Sequence, residues 1–346
     1  MKKSNPFLLK VYSHVLQDVA QRVNYSFNRF FKERVNGNTK FGKPQFRKRK
    51  EYKSFTYKEY SNGSRFRIEN NKLYLARIGY IKAIIDRPIP YNATIKTCTI
   101  KKDVNHWYAL IVLIIQKHES KLKLDSKKAI GIDVGLRTYG ALSNGQKIEN
   151  PKWIEKYELK LKCEQKRLSR MVKGSNNWKK QCIKIAKIHQ KLRFQRRDFL
   201  HKETTRLIDN FDIIALEDLQ IMNMVKNHNL AKSINDVCWG MFRQFLTYKA
   251  EEREKSVVIV NSQNTSQICS RCGEKVSKGL DKRMHECPSC GLILDRDENA
   301  SLNIIKRGLE KLQSSNDNTA GLAGRACGET SKEAQGSKKI VSKTNS

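Results

Sequence analysis

The chain has 346 residues, enough for two or three domains at roughly 100 to 200 residues each, every one large enough to bury a core. Lys and Arg outnumber Asp and Glu by 69 to 34, and the resulting charge of +35 far exceeds the roughly 2 to 8 that keeps a small domain soluble, so a polyanionic partner is expected. No apolar run approaches the ~18 residues of a spanning helix, and Phe7–Leu9 is too short for a signal-peptide core, which argues for a cytoplasmic protein without a membrane partner and makes nucleic acid the expected polyanion.

From Phe7 to Lys32, Leu8, Val11, Val15, Val19, Val23, Phe27 and Phe30 recur three or four apart, the period of an amphipathic helix or helix pair with a basic opposite face. Gly37, Gly42 and Pro44 break the pattern before a basic and aromatic stretch from Phe46 to Tyr57. Between residues 64 and 115 the period shortens, and Arg65–Ile68, Lys72–Ala76, Tyr80–Ile85, Thr94–Lys101 and Trp107–Ile115 read as strands of a small β-barrel or sheet. Ala129–Val134 is a continuous apolar strand, Tyr139–Leu142 a second, and Asn144-Gly145 a hairpin turn into a third near Lys147 and Ile148. A basic helical hairpin is expected from Trp153 to Asp209, broken at Gly174-Ser-Asn-Asn177. Phe211–Leu216 and Ser256–Val260 read as strands, with Val237–Glu254 and Asn299–Leu312 as helices. From Gln313 onward Ser, Asn, Gly and Lys dominate, the composition of a disordered tail.

Four of the nine cysteines are paired by spacing: Cys269 with Cys272 and, after a spacer of fourteen residues, Cys287 with Cys290. Each C-x₂-C is a knuckle offering two thiolates to one tetrahedral ion, and a glycine after each pair relaxes the backbone where amides turn toward sulfur. The spacer is one short of the usual ~15–20 residues, within loop variation, and a redox dithiol would need only one pair, so a structural zinc site is expected. With four thiolates at hand, neighbouring His285 is expected to face solvent. Cys98, Cys163, Cys182, Cys238 and Cys327 are scattered and read as small hydrophobes.

Three acids form a second set. Asp133 ends the apolar strand from Ala129, Glu217 ends the strand Ile213-Ile-Ala-Leu-Glu217, and Asp297 opens the last helix. A carboxylate set in an apolar strand is costly unless it is paired or holds a metal. Three converging carboxylates suit Mg²⁺ ions that position water for attack on phosphorus. Taken singly, Asp295 or Asp297 reads equally well as a helix cap, and Glu217 as a surface strand end. Their order on strand, strand and helix favours a nuclease of the RNase H class.

The helices between Trp153 and His201 carry Lys166, Arg167, Arg170, Lys173, Lys179, Lys180, Arg196 and Arg197, charge that binds phosphate without regard to sequence. Tyr52, Phe55, Tyr57, Trp107 and Tyr108 offer rings for base stacking, although aromatic residues in strands are more often core.

Together these residues resemble the transposon-encoded TnpB (OrfB) family, relatives of the type V CRISPR nucleases. Gly131-Ile-Asp-Val-Gly135, Ala215-Leu-Glu-Asp-Leu219, the cysteine ribbon and the run from Asp295 to Ile304 look like its RuvC motifs with their inserted zinc ribbon. Lys173–Asn177, Arg197–Lys202 and Trp239 with Phe242, Tyr248 and Lys249 are similar to its intervening helices, and Thr319–Gly328 to its ending. The resemblance implies an RNA-guided, Mg²⁺-dependent DNA endonuclease of the kind often called a transposase, with target DNA and the element's guide RNA as partners. It implies that Asp133, Glu217 and Asp297 hold the metals, Asp297 being preferred to Asp295 because the family acid precedes x-Asn-Ala. Family members usually open with a strand and a further helical segment before the matched region, whereas this chain starts almost directly on a helix. A truncated copy with weaker guide or target binding is expected from that departure, and a non-catalytic nucleic-acid-binding factor of the element is the alternative reading.

The expected architecture is an α+β multidomain chain: a basic helical segment over 1–60, a β-barrel module over 61–120, and an RNase H-like (RuvC) nuclease domain over 125–312. The last carries a helical insertion at 153–209 and a Cys₄ zinc ribbon at 265–294, followed by the tail 313–346.

Overall fold

A computed structural model describes residues 5–38, 41–45, 52–58, 65–85, 88–115, 124–277, 279, 282–320 and 337–344, with side chains to 314. The first part of the basic-aromatic stretch, Cys327 and most of the family-like ending lie outside the described residues. The chain is a mixed α/β protein that divides into two compact units, residues 1–118 with 330–346, and residues 119–329.

In the first unit a short 3₁₀ turn at Pro6–Lys10 precedes α1 (Ser13–Val35). One sheet has the order β1 (Ser54–Tyr57), β5 (Ala93–Asp103), β6 (His106–Ile115) and β14 (Ser337–Thr344), all neighbours antiparallel. A second is the meander β2 (Phe66–Glu69), β3 (Lys72–Leu75) and β4 (Gly79–Lys82). Tyr57, Phe66, Leu73, Leu75, Cys98 and Leu113 from both sheets share one core, which Val15 of α1 joins. The expected helical and β segments therefore form one unit. The expected barrel is instead two sheets: among the described residues no ladder joins them, and they meet through side chains such as the Tyr57 hydroxyl, which donates to the Ala76 carbonyl at 2.8 Å. The tail departs from expectation too: β14 pairs antiparallel along the length of β6.

The second unit is built on the strand order β11 (Ser256–Val260), β10 (Ile213–Glu217), β7 (Ala129–Val134), β8 (Thr138–Leu142) and β9 (Lys147–Glu149). β11, β10 and β7 run parallel, whereas β8 is antiparallel to both its neighbours. Because successive strand residues point to opposite faces, each strand feeds two cores. Ile130, Ile132, Ile214 and Leu216 pack with α3 (Asn176–Asn210), α5 (His228–Val237) and α6 (Trp239–Glu252). Ile213, Ala215, Val258 and Val260 pack with Ile304 of α7 (Arg296–Ala320), which also outlasts the expected end at Leu312.

The basic insertion is a hairpin of α2 (Trp153–Ser169) and α3, and the break between them has a local cause. Gly174 takes φ +90°, and the Ser175 hydroxyl accepts the Trp178 amide at 3.1 Å, capping α3. The helix expected over Val237–Glu254 is α6, which starts at Trp239 because Cys238, at φ +55°, separates it from the preceding α5; a one-turn helix, α4 (Ile221–Met224), precedes both. Among the described residues no helix is long and apolar enough to cross a membrane.

Candidate metal and acid sites

The three acids are gathered by strand parity. Residues 129, 131 and 133 of β7 and 213, 215 and 217 of β10 share the face covered by α7, and the parallel register pairs Leu216 with Ile132. Asp133 and Glu217 follow one residue later on adjacent strands, at the carboxyl ends where open α/β sheets bind their ligands. α7 runs against this face, and its first turn brings Asp297 to the same end. Asp297 is about one quarter exposed, with Arg296 Nε 3.3 Å from its Oδ1.

The acids feel one another. Burial, then the charges of Glu217 and Asp297, push the Asp133 carboxyl well above the usual carboxylate range, and nearby Arg296 offsets this only in part. Glu217 is also raised by burial, against the opposing effects of the Thr265 hydroxyl, which donates to its Oε1, and of Arg307. Asp295 is occupied differently. Its Oδ1 accepts the Asp297 amide at 2.9 Å, capping α7, and its Oδ2 meets Lys147 Nζ at 2.8 Å. Burial raises the Asp295 carboxyl, but Lys147 and the helix amides outweigh it and hold the group low. The three acids do not have carboxylate oxygens all within 4.8 Å of one another; among the described residues only the four cysteines form so tight a set.

The ribbon follows β11. Sγ of Cys269 lies 3.6 Å from that of Cys290, Sγ of Cys272 lies 3.5 Å from that of Cys287, and all four ligand atoms fall within 4.8 Å of one another. Tetrahedral zinc with sulfurs at about 2.3 Å sets them about 3.8 Å apart, so the donor set and spacing fit that ion. Each knuckle closes through its glycine: Gly273 at φ +80° and Gly291 at φ +70° donate amides to the Cys269 and Cys287 carbonyls, both at 2.9 Å. The thiols share their protons unevenly: burial raises Cys287, yet the amides of Cys290 and Ser289 and the neighbouring thiols bring it down to about 6. At Cys272 and Cys290 the lowering pull of backbone amides is instead outweighed by burial and neighbouring thiols, and both are raised. His285, expected in solvent, is fully buried because the alternation of β12 (Met284–Glu286), paired with β13 (Ile293–Asp295), turns it inward while Met284 and Glu286 face out.

Sequence reasoning missed the clamp between ribbon and helix. Buried Asn299 accepts the Ser270 amide at 2.9 Å and donates to the Ile268 carbonyl at 2.8 Å. Asn303 donates to the carbonyls of Thr265 and Ile268, at 2.9 and 2.7 Å. Both asparagines lie on the helix that carries Asp297, and only their i, i+4 spacing marks one shared face.

Of the expected phosphate-binding side chains, Lys166, Arg167, Arg170, Lys173, Lys179 and Lys180 are exposed on the hairpin. Arg196 is not available to a partner, because its Nε donates to the buried carboxylate of Asp236 at 2.8 Å, while Asp236 also accepts the Ile154 amide at the start of α2. Among the candidate stacking rings, Tyr57 and Tyr108 are core residues, whereas Tyr52 and Trp107 are exposed.

Comparison with known proteins follows the same motifs. The family OrfB_IS605, described as "Probable transposase", matches residues 113–228, and the "Cas12f1-like, TNB domain" family matches 239–304. A "Putative RNA-guided DNA endonuclease" of Streptomyces pristinaespiralis is 33% identical over 93% of this chain and 75% of its own length. The "Putative RNA-guided DNA endonuclease InsQ" of Escherichia coli K12 is 29% identical over 86% of this chain and 74% of its own length. "TnpB-like protein L79" of Acanthamoeba polyphaga mimivirus is 27% identical over 64% of this chain and 45% of its own.

Proposed function

The chain belongs to the TnpB (OrfB) family, and from that premise we propose that it is an RNA-guided DNA endonuclease whose second unit is a RuvC-type nuclease domain. The observation that carries this reading is the parity of Asp133 and Glu217 on adjacent parallel strands, under the helix that begins with Asp297. Two Mg²⁺ ions held there by Asp133, Glu217 and Asp297 would supply charge neutralisation at the scissile phosphate and a water of lowered pKa.

The chain's own residues do the rest. Asp133 and Glu217 present oxygens from rigid strands, and Asp297 completes the set from a capped helix end. Asp295 keeps Lys147 and the α7 amides occupied, which leaves Asp297 for the ions. Arg296, beside Asp133 and Asp297, partly offsets the repulsion among the acids and so favours their charged forms. The exposed lysines and arginines of α2 and α3 grip the phosphate backbone of guide or target. Cys269, Cys272, Cys287 and Cys290 would hold a zinc ion that braces the ribbon, and the asparagine clamp would pass that rigidity to α7.

The test is to purify the protein from cells carrying its element, sequence the RNA that accompanies it, and assay cleavage of DNA complementary to that RNA. Wild-type protein is expected to cut with Mg²⁺, and Asp133→Ala to bind the same RNA and DNA without cutting. Full cleavage by Asp133→Ala, or the lack of any defined RNA, would overturn the reading.

A further inference from the structure

We propose that Thr265 is a positioning residue for Glu217: its hydroxyl fixes one carboxylate oxygen so that the other is presented to a divalent cation, and Asn303 holds Thr265 in place. The inference rests on the metal-dependent reading of the acid site. Thr265 is 4% exposed and lies between β11 and the first zinc knuckle, in a segment with no periodic structure of its own. Its Oγ1 lies within hydrogen-bond reach of two acceptors, Glu217 Oε1 and, at 3.2 Å, the Ser262 carbonyl. A hydroxyl has one proton, and the ionised carboxylate is the stronger acceptor. Glu217 Oε2 has no hydrogen-bond partner among the described residues, so one oxygen is anchored and the other is left for the ion.

The anchor is itself anchored. Asn303 Nδ2 donates to the Thr265 carbonyl at 2.9 Å, and Asn303 stands on the helix that starts with Asp297. Thr265 thus ties the second acid, on a strand, to the helix that delivers the third. A rotamer locked by an outer hydrogen bond is what separates a cation site from a set of nearby acids. A metal-binding carboxylate that lost this donor would sample other rotamers, and cation affinity would fall while the fold stayed intact.

Mn²⁺ binding to the full chain, followed by electron paramagnetic resonance without nucleic acid, tests this directly. Thr265→Val keeps the shape and removes the proton donor; it is expected to weaken Mn²⁺ binding by about 10-fold or more, as loss of an outer-shell partner does. Thr265→Ser should bind like wild type, and zinc content should be one ion per chain in all of them. In cleavage assays the Val variant should need more Mg²⁺ for half-maximal rate and recover at high Mg²⁺, an effect that a merely structural residue would not show. Should the Val variant fold poorly, Thr265→Ala, which cannot overpack the site, carries the same expectation. Wild-type Mn²⁺ affinity in a folded Val or Ala variant would overturn the proposal. If Asp133→Ala and wild type bind Mn²⁺ alike, the metal reading beneath it fails instead, and the two failures are told apart by that control.

Discussion

Gly131 and Ser301 are pressed together so closely that a β-carbon on Gly131 would lie 2.1 Å from the Ser301 carbonyl oxygen and 2.8 Å from the Ile305 amide nitrogen. The backbone of α7 therefore rests directly on the central strand, two residues before Asp133, and its seating sets where Asp297 arrives. Gly131→Ala must push the helix away, because the clash is with backbone that cannot rotate aside. The expected cost is about 1–3 kcal/mol, the usual range for overpacking. In an assembled nuclease, cleavage should fall much further than this loss of stability implies, since a misplacement of about 1 Å can cost 100-fold in rate. Chemical denaturation and single-turnover cleavage of the same preparation check both halves of this expectation.

The surroundings of Asp133 work against stability. Its raised carboxyl means that folding favours the protonated acid. That contribution is fully present below the unfolded value of about 3.9 and is lost as pH rises through the higher folded value. Near pH 7.5, without divalent cations, the charged form destabilises the protein. Asp133→Asn should therefore melt higher than wild type at pH 7.5, by about 2–4 °C for each kcal/mol relieved, and the difference should vanish below about pH 4. Mg²⁺ should raise the melting temperature of wild type and leave that of Asp133→Asn nearly unchanged. Scanning calorimetry of the two proteins with and without Mg²⁺ decides the matter.

The strands that carry Asp133 and Glu217 were legible in the sequence because both are apolar runs that end abruptly in a carboxylate, and the cysteine ribbon was legible because its spacing repeats. The burial of His285 was not, since it depends on the pairing of β12 with β13, which neither three-residue strand announces. α5 escaped notice because Ile234 and Val237 are its only buried apolar residues and polar residues surround them. Arg196 looked like its basic neighbours; its partner Asp236 lies forty residues on, at the far side of β10 in the chain. Thr265, Asn299 and Asn303 act through one or two side-chain hydrogen bonds each to distant segments, a kind of interaction that leaves no periodic trace.

The exposed cations of the hairpin give a prediction of a different kind. Lys166, Arg170, Lys173 and Lys180 are open to solvent, whereas Arg196 is committed to Asp236. Replacing any one of the four by Ala should weaken nucleic-acid binding without regard to sequence and reduce the slope of log affinity against log salt by about 1 for each phosphate no longer neutralised. Arg196→Ala should instead destabilise the fold by about 3–5 kcal/mol, because it leaves Asp236 charged and buried. Binding isotherms across a salt series, paired with melting curves, separate the two classes. An Arg196→Ala protein that melted like wild type while its salt slope fell by one would reverse the assignment.

Zinc should matter to cleavage through α7 rather than through contact with the reacting phosphate. The ribbon's first knuckle is held by Asn299, two residues after Asp297, and the segment leading into it by Asn303. Losing the ion should free the knuckle and loosen the Ser270 amide and the Ile268 and Thr265 carbonyls that these asparagines hold. A Cys269→Ser, Cys272→Ser protein should lose its single zinc ion, measured by mass spectrometry, and cut DNA at least about 10-fold more slowly, since outer-shell support of a metal site is typically worth 10- to 100-fold. The second unit's main core, around Ile132, Leu216 and Phe242, is separate from the ribbon and should keep its cooperative melting. Asn299→Ala tests the same link with zinc still bound: slower cleavage at full zinc occupancy is expected, and full-rate cleavage by either protein would show that the ribbon does not position the third acid.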